Sequence, residues 1–279
     1  MKAEYSVELL CAAFGVARSG YYRHLARQSQ PGPRRQRDAI LTVWIEEEFA
    51  QSRGTYGVPR LHRALHERQE PVSRKRIARL MRERGLRGCS PRRRYFVTTD
   101  SRHDQPIAPN RLREHGPATR PDQIWVADIT YLRTDEGWLY LAGVKDVYSR
   151  RMVGWAMSDT IDTPLVLAAW QHARQQRRPA PGLIFHSDRG VQYASAAFRS
   201  ALAAAGAVSS MSRRGNCYDN AMMESGWGTL KTECIHRLHF ATRQQARLAV
   251  FDYLHFYNRR RRHSALGFIS PVDFETQSN

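Results

Sequence analysis

The chain of 279 residues has little cysteine and no long apolar run, and each absence excludes a class of protein. Four cysteines, Cys11, Cys89, Cys217 and Cys234, are scattered without a Cys-x-x-Cys pair, which argues against a disulfide framework and a zinc ribbon. The spacing of the last two relative to His236 and His239 fits no common zinc pattern, so we expect no structural zinc. No run of about 18 apolar residues is present, which excludes a membrane span. No signal peptide is visible, so we expect a cytoplasmic protein.

Acidic residues and lysine are also scarce. Lysine and arginine number 44 against 26 aspartates and glutamates, which gives a net charge of +18. Only four of the basic residues are lysine. A charge of this sign and size is typical of a chain that binds polyphosphate. The planar arginine fork suits phosphate and guanine, although codon usage in a GC-rich genome explains much of the same bias.

Turn residues and charge divide the chain into segments. The pattern over residues 1–30 predicts a small helix-turn-helix-like unit, in which Gly15 is the turn. The pattern over residues 34–90 predicts a second domain, which is helical and binds DNA. A polar stretch over residues 91–119 predicts a linker. Residues 120–275 then alternate strands and helices, which predicts an α/β catalytic domain preceded by all-α units.

One short helix in the second unit has a strongly basic surface. Ser73 is its predicted N-cap, and Ile77, Leu80 and Met81 form its apolar stripe. The remaining faces carry basic side chains for which we predict contacts with DNA, namely Arg74, Lys75, Arg76 and Arg79. The alternative is that these side chains are simply solvated.

Three carboxylates in the α/β region have informative surroundings. Asp128 lies in the alternating, β-branched run from Trp125 to Tyr131, which predicts a strand. Asp188 follows the apolar run Leu183-Ile-Phe, where a strand gives way to a glycine turn. Glu224 lies near the start of a predicted helix. Carboxylates at two strand positions and one helix position can converge on one sheet edge and hold divalent cations for phosphoryl transfer. Three meandering strands followed by alternating strands and helices is the order of a ribonuclease-H-like domain.

Other polar residues surround this predicted site. Lys231 lies two helical turns after Glu224, on nearly the same face. His186 is predicted either as a proton shuttle or ligand, or as hydrogen-bonded support for the loop, and Asp146 is the main competing carboxylate. Further side chains predicted to contact DNA are Arg213, Arg214 and Asn216 before the helix, and Arg259, Arg260, Arg261 and Arg262 near the end of the chain.

Several motifs across nearly the whole chain resemble one family. They are Tyr56-Gly-Val-Pro-Arg, Trp125-Val-Ala-Asp-Ile-Thr-Tyr, Phe185-His-Ser-Asp-Arg-Gly-Val-Gln-Tyr, the stretch from Ser210 to Ser225, Leu230-Lys, and the stretch from Tyr257 to Gly267. In combination they resemble the OrfB-type catalytic subunits of the IS-three group of insertion-sequence transposases, in the retroviral-integrase-like DDE superfamily.

The resemblance implies an enzyme that nicks element ends and joins the freed 3′-hydroxyl to target DNA. It implies two Mg²⁺ ions, with Mn²⁺ as an alternative, held by Asp128, Asp188 and Glu224, and DNA contact by Lys231 near the scissile phosphate. Partners would be terminal inverted repeats, target DNA, a second copy of the chain on paired ends and the upstream-frame OrfA protein, in a bacterial, nucleoid-associated setting. The alternatives are a catalytically silent DNA-binding regulator and a ribonuclease-H-type nuclease.

Overall fold

The coordinates are a computed structural model, which describes residues 5–29, 32–90, 104–213 and 221–278. The chain divides into two compact units, Met1–Gly88 and Cys89–Asn279. Arg214 and Asn216, predicted to contact DNA, lie outside the described residues. Across the described ranges, no helix combines the length and apolarity that a membrane crossing needs.

The first unit is helical. Its helices are α1 (Val7–Ala13), α2 (Arg18–Ser29), α3 (Pro33–Gln51), α4 (Val58–Glu67) and α5 (Arg74–Glu83). The predicted cap of α5 is confirmed, because the Ser73 hydroxyl accepts from the Arg76 amide at 3.3 Å. Leu41, Leu61 and Ile77, one from each of α3, α4 and α5, are almost fully buried and anchor a small core.

The second unit is built on a five-stranded mixed sheet. Its strands are β1 (Ile124–Thr134), β2 (Gly137–Asp146), β3 (Met152–Ser158), β4 (Ile184–Ser187) and β5 (Val208–Met211), in the order β3-β2-β1-β4-β5. The first three strands pair antiparallel, whereas β4 pairs parallel with both β1 and β5. The predicted α/β class is confirmed, and so is the predicted succession along the chain of three antiparallel strands followed by alternating strands and helices.

Helices pack on both faces of this sheet. The helices of the second unit are α6 (Leu112–His115), α7 (Thr163–Arg177), α8 (Val191–Ala194), α9 (Ala196–Ala203), α10 (Ala221–Glu233), α11 (Arg243–Arg259) and α12 (Pro271–Ser278). Gly154 of β3 lies against α7, while Gly143 of β2 lies against α10. Because Gly154 pairs with Val144, the neighbour of Gly143, the two helices occupy opposite faces. The α7 face holds the aromatic core, where the Trp125 and Trp170 rings lie edge to face at 5.8 Å.

Part of the segment predicted as a linker is ordered against the second unit. Residues 112–115 form α6, and the Arg111 amide donates to the Ser210 hydroxyl of β5 at 2.9 Å. Local sequence patterns could not indicate this hydrogen bond, because its two partners are far apart along the chain. Residues 91–103 of the same segment lie outside the described part of the structure.

Candidate active site

The register of two parallel strands brings Asp128 and Asp188 level with each other. Val126 of β1 is paired with His186 of β4, and each aspartate lies two residues further along. Asp128 is paired across the other side with Gly143 of β2, so its side chain leaves the sheet on the face covered by α10. Both carboxylates are half-buried. The two strands therefore place the predicted pair at one point on the sheet.

The electrostatics of Asp128 show that the predicted third carboxylate also lies nearby. Burial raises the pKa of Asp128 well above its usual range, and the negative charges of Asp188 and Glu224 raise it further. The Ile129 amide and the Trp227 indole lower this pKa and only partly offset the rise. The Trp227 nitrogen nevertheless falls outside hydrogen-bond geometry with every partner among the described residues. Asp128 is thus a half-buried carboxylate with further negative charge around it.

Glu224 reaches the site from α10. It lies in the first turn of this helix and is exposed. One turn later, Trp227 packs on the sheet at Gly143, where any Cβ would overlap the indole and would lie 2.7 Å from Met152 Cε. Gly143 is the residue opposite Asp128, so this close approach places the Glu224 helix beside Asp128. Neither Trp227 nor Gly143 was predicted as part of the site, although a glycine inside a strand can signal such an approach.

Lys231 lies on the same helix at the edge of this cluster. Its Nζ atom is 4.9 Å from the centre of the Tyr131 ring, and its side chain is half-buried. Burial lowers the pKa of Lys231, while the charge of Asp128 acts in the opposite direction. The lysine is therefore close enough to Asp128 for the two charges to interact, two helical turns after Glu224.

The loop that carries Asp188 is held by short hydrogen bonds. Asp188 Oδ1 accepts from the Gly190 amide at 3.0 Å, which is the geometry of an Asx turn. The fully buried His186 ring bridges two hydroxyls of the neighbouring segment, Ser210 at 2.9 Å and Ser212 at 3.0 Å. Of its two predicted roles, the structure favours support of the loop, because the ring has no access to solvent.

The donor set suits a hard divalent cation, since carboxylate oxygens are the ligands such ions prefer. Burial and the negative charges of Asp188 and Glu224 raise the pKa of Asp128, and a bound cation would oppose both effects. The candidate metal-binding side chains do not form a complete coordination site by themselves. Among the residues that the structure describes, no three acidic, histidine or cysteine side chains lie close enough together to hold a metal ion.

The basic side chains predicted to contact DNA fall into two groups. Arg213 and, on α5, Arg74 and Lys75 are exposed. Arg76 and Arg79 instead both bind the Asp38 carboxylate of α3, each at 2.7 Å. These two guanidinium groups have an intramolecular partner that the local sequence could not reveal.

The four adjacent arginines near the end of the chain are likewise not equivalent. Arg259 and Arg260 are exposed, whereas Arg262 donates to the Phe268 carbonyl at 3.1 Å. Arg261 is buried and forms two hydrogen bonds of 2.7 Å with Glu233 of α10. The sequence prediction that Arg261 contacts DNA is therefore corrected, because its guanidinium faces the interior.

The sheet order, with an aspartate on β1, another directly after β4 and a glutamate on α10, agrees with one class of enzyme, the DDE-type polynucleotidyl transferases. Family comparisons agree with this class. Two models described as "Integrase core domain" match residues 118–217 and 224–278, and a model described as "HTH-like domain" matches residues 35–95. The fold is also that of a chain in the cryo-EM structure of the simian T-cell lymphotropic virus intasome with the PP2A regulatory subunit B56 gamma. That likeness has a TM-score of 0.50 at 16% identity and covers 78% of this chain and 74% of that one.

Curated relatives identify the family. The chain is 47% identical over 266 residues to the insertion element IS600 uncharacterized 31 kDa protein of Shigella sonnei, covering 95% of this chain and 97% of the relative. It is 40% identical over 278 residues to transposase InsF for insertion sequence IS3A of Escherichia coli strain K12, covering 99% and 96%. The chain therefore belongs to the insertion-sequence transposases of the IS3 family, as the motif resemblance predicted.

Proposed function

We propose that this transposase cleaves the ends of its element and joins the freed 3′-hydroxyl to target DNA, with divalent cations held by Asp128, Asp188 and Glu224. The observation that carries the proposal is that Asp128 on β1 and Asp188 directly after β4 lie close together, with the charge of Glu224 adding to the raised pKa of Asp128. Bound Mg²⁺ would activate the attacking oxygen and stabilise the leaving one. Two ions are proposed, with Mn²⁺ as an alternative.

The two steps are the same displacement with different nucleophiles. In cleavage, a water oxygen attacks phosphorus, the bond from phosphorus to the 3′-oxygen breaks, and that oxygen takes up a proton to become the 3′-hydroxyl. In joining, this hydroxyl attacks a target phosphodiester and loses its proton, the bond from phosphorus to the target's 3′-oxygen breaks, and that oxygen takes up a proton. The chain's contribution is to position the reacting groups and to balance charge, which supplies most of the catalysis in phosphoryl transfer.

Basic side chains outside the carboxylate cluster would hold the DNA. Lys231 is a compact charge beside Asp128 and can approach a backbone phosphate near the reacting bond. Exposed Arg74 and Lys75 on α5 would bind element-end DNA, and exposed Arg259 and Arg260 would follow the phosphate backbone.

Assembly on DNA is part of the proposal. An element has two ends that must be processed together, and a symmetric dimer is the commonest way to present two equivalent sites. We therefore propose at least two copies on paired ends, with the upstream-frame OrfA protein as a further partner. Light scattering of the complex with end DNA tests this, and a mass of one chain per DNA end without pairing would contradict it.

A strand-joining assay separates this function from its rivals. The wild type, Asp188→Asn and the control Asp252→Asn, an exposed carboxylate on α11, are mixed with a labelled element end, target DNA and Mg²⁺. We expect joined product from the wild type and Asp252→Asn and none from Asp188→Asn, which should still bind the end. Cleavage without joining would indicate a nuclease, and binding without cleavage by the wild type would indicate a regulator.

A further inference from the structure

A buried lysine lies against the helix that carries Glu224. Lys145, near the end of β2, is 2% exposed, and its ammonium donates to the Met222 carbonyl of α10 at 3.1 Å. It occupies space that exists only because residue 226 is glycine, since a Cβ there would overlap the Lys145 nitrogen. Met222 and Gly226 flank Glu224 by two residues on each side. The lysine therefore contacts the one helical turn that presents the third carboxylate.

The surroundings of Lys145 do not explain it as an ordinary stabilising residue. No carboxylate pairs with it in the described parts of the chain, and its remaining neighbour of note is the Tyr257 ring, 5.6 Å away. Burial, followed by the positive charges of Arg150 and Arg261, lowers the pKa of Lys145 to about 7. A buried ammonium without a counter-charge is costly, and an apolar side chain of the same length would avoid that cost.

We propose that Lys145 is a positioning residue, which sets the placement of Glu224 by fixing the first two turns of α10 against β2. Two contacts would then define the helix. Trp227 at Gly143 sets how closely it approaches the sheet, and the hydrogen bond from Lys145 to Met222 sets its rotation and its position along its own axis. Glu224 needs such positioning because its own side chain is exposed. Among the described residues, it also belongs to no group of three side chains close enough to hold a metal ion.

The inference rests on the proposed function for the role of Glu224, but the fixing of α10 can be measured without it. Lys145→Met keeps the length of the side chain and removes the donor, and Gly226→Ala pushes the ammonium away while keeping Lys145. Val153→Ala, a buried change on β3, is the matched control for general destabilisation. Two readouts are compared, namely Mg²⁺ affinity by calorimetry with end DNA bound and hydrogen exchange of the α10 amides without Mg²⁺.

We expect Lys145→Met and Gly226→Ala each to weaken Mg²⁺ binding by about 10-fold, the lower range for residues that support metal ligands. Both should speed exchange in α10, while Val153→Ala should do neither. The double variant Lys145→Ala/Gly226→Ala should be less impaired than the sum of the effects of Lys145→Ala and Gly226→Ala measured singly, because the shortened side chain leaves room for the new methyl group. If Lys145→Met fails to fold, the inference is tested by the Mg²⁺ affinity and the α10 exchange of Gly226→Ala.

Unchanged α10 exchange and unchanged Mg²⁺ affinity in Lys145→Met and Gly226→Ala would overturn the inference. Failure of the proposed function can be told apart from failure of the Lys145 inference, because the wild type itself would then bind no Mg²⁺ at the carboxylates. In that case faster α10 exchange in the variants would still support the fixing of the helix by Lys145, and unchanged exchange would overturn it.

Discussion

Arg261→Met should destabilise the catalytic unit and leave DNA binding by the folded protein unchanged. The guanidinium makes two hydrogen bonds of 2.7 Å to Glu233, and the two side chains are 6% and 5% exposed. The Tyr253 hydroxyl donates to the same Glu233 carboxylate at 2.9 Å, so the group depends on all three residues. Methionine fills the space but removes the two hydrogen bonds and the positive charge that Arg261 brings to Glu233.

The magnitude follows from the burial. Removing one partner of a buried ion pair costs about 3–5 kcal/mol, because the other charge remains uncompensated. For a unit of this size each kcal/mol lowers the melting temperature by roughly 2–4 °C, so a fall of about 10 °C is expected. Replacing both partners, in Glu233→Gln/Arg261→Met, should recover much of the loss, since residue 233 then carries no buried charge.

The assay is thermal unfolding followed by DNA binding below the transition, with Arg260→Met as the exposed neighbour. Arg260→Met should change stability by less than about 0.5 kcal/mol, as surface substitutions usually do, and should weaken DNA binding. The buried ion pair with Glu233 would be refuted as the role of Arg261 by one result. In that result, Arg261→Met melts like the wild type and weakens DNA binding as Arg260→Met does. Arg261 would then face DNA, as its sequence neighbours suggested.

Three further predictions concern the site and the DNA-binding surface. Gly143→Ala should cost about 1–3 kcal/mol by overpacking against Trp227 and should lower strand joining, and wild-type stability in urea unfolding would contradict the close packing. Lys231→Ala should keep the fold and the Mg²⁺ affinity while lowering end binding and joining, with partial recovery of binding in Lys231→Arg; joining at the wild-type rate would remove Lys231 from the site. Arg74→Ala/Lys75→Ala should flatten the slope of log K against log salt by about 0.9 for each DNA phosphate that the protein no longer neutralises, and an unchanged slope would show these side chains to be merely solvated.

Local patterns in the sequence predicted the architecture well, because the period of apolar residues reports directly on strands and helices. The alternating run around Asp128 lies in β1, and the strand expected at the apolar run before Asp188 is β4. The cap at Ser73 could be predicted because it depends on residues three positions apart. The site prediction drew on the same signals, since a strand end and a helix start set where a carboxylate can lie.

Features that depend on distant partners could not be predicted. A run of four arginines looks uniform in the sequence, and only the end of α11 at Arg259 turns Arg261 inward to Glu233. The basic side chains of α5 look free until α3 brings Asp38 to Arg76 and Arg79. Lys145 does carry a sequence signal, as a lone lysine in an apolar strand of a chain that otherwise uses arginine, but its burial depends on Gly226, far along the chain.

The central claim, that Asp128 on β1 and Asp188 directly after β4 hold divalent cations, is tested most directly by Mg²⁺ titration with end DNA bound. Calorimetry would compare the wild type with Asp128→Asn, Asp188→Asn and the exposed control Asp252→Asn. We expect saturable binding by the wild type and Asp252→Asn, and loss of that binding in both site variants. Wild-type Mg²⁺ affinity in Asp188→Asn would contradict the claim.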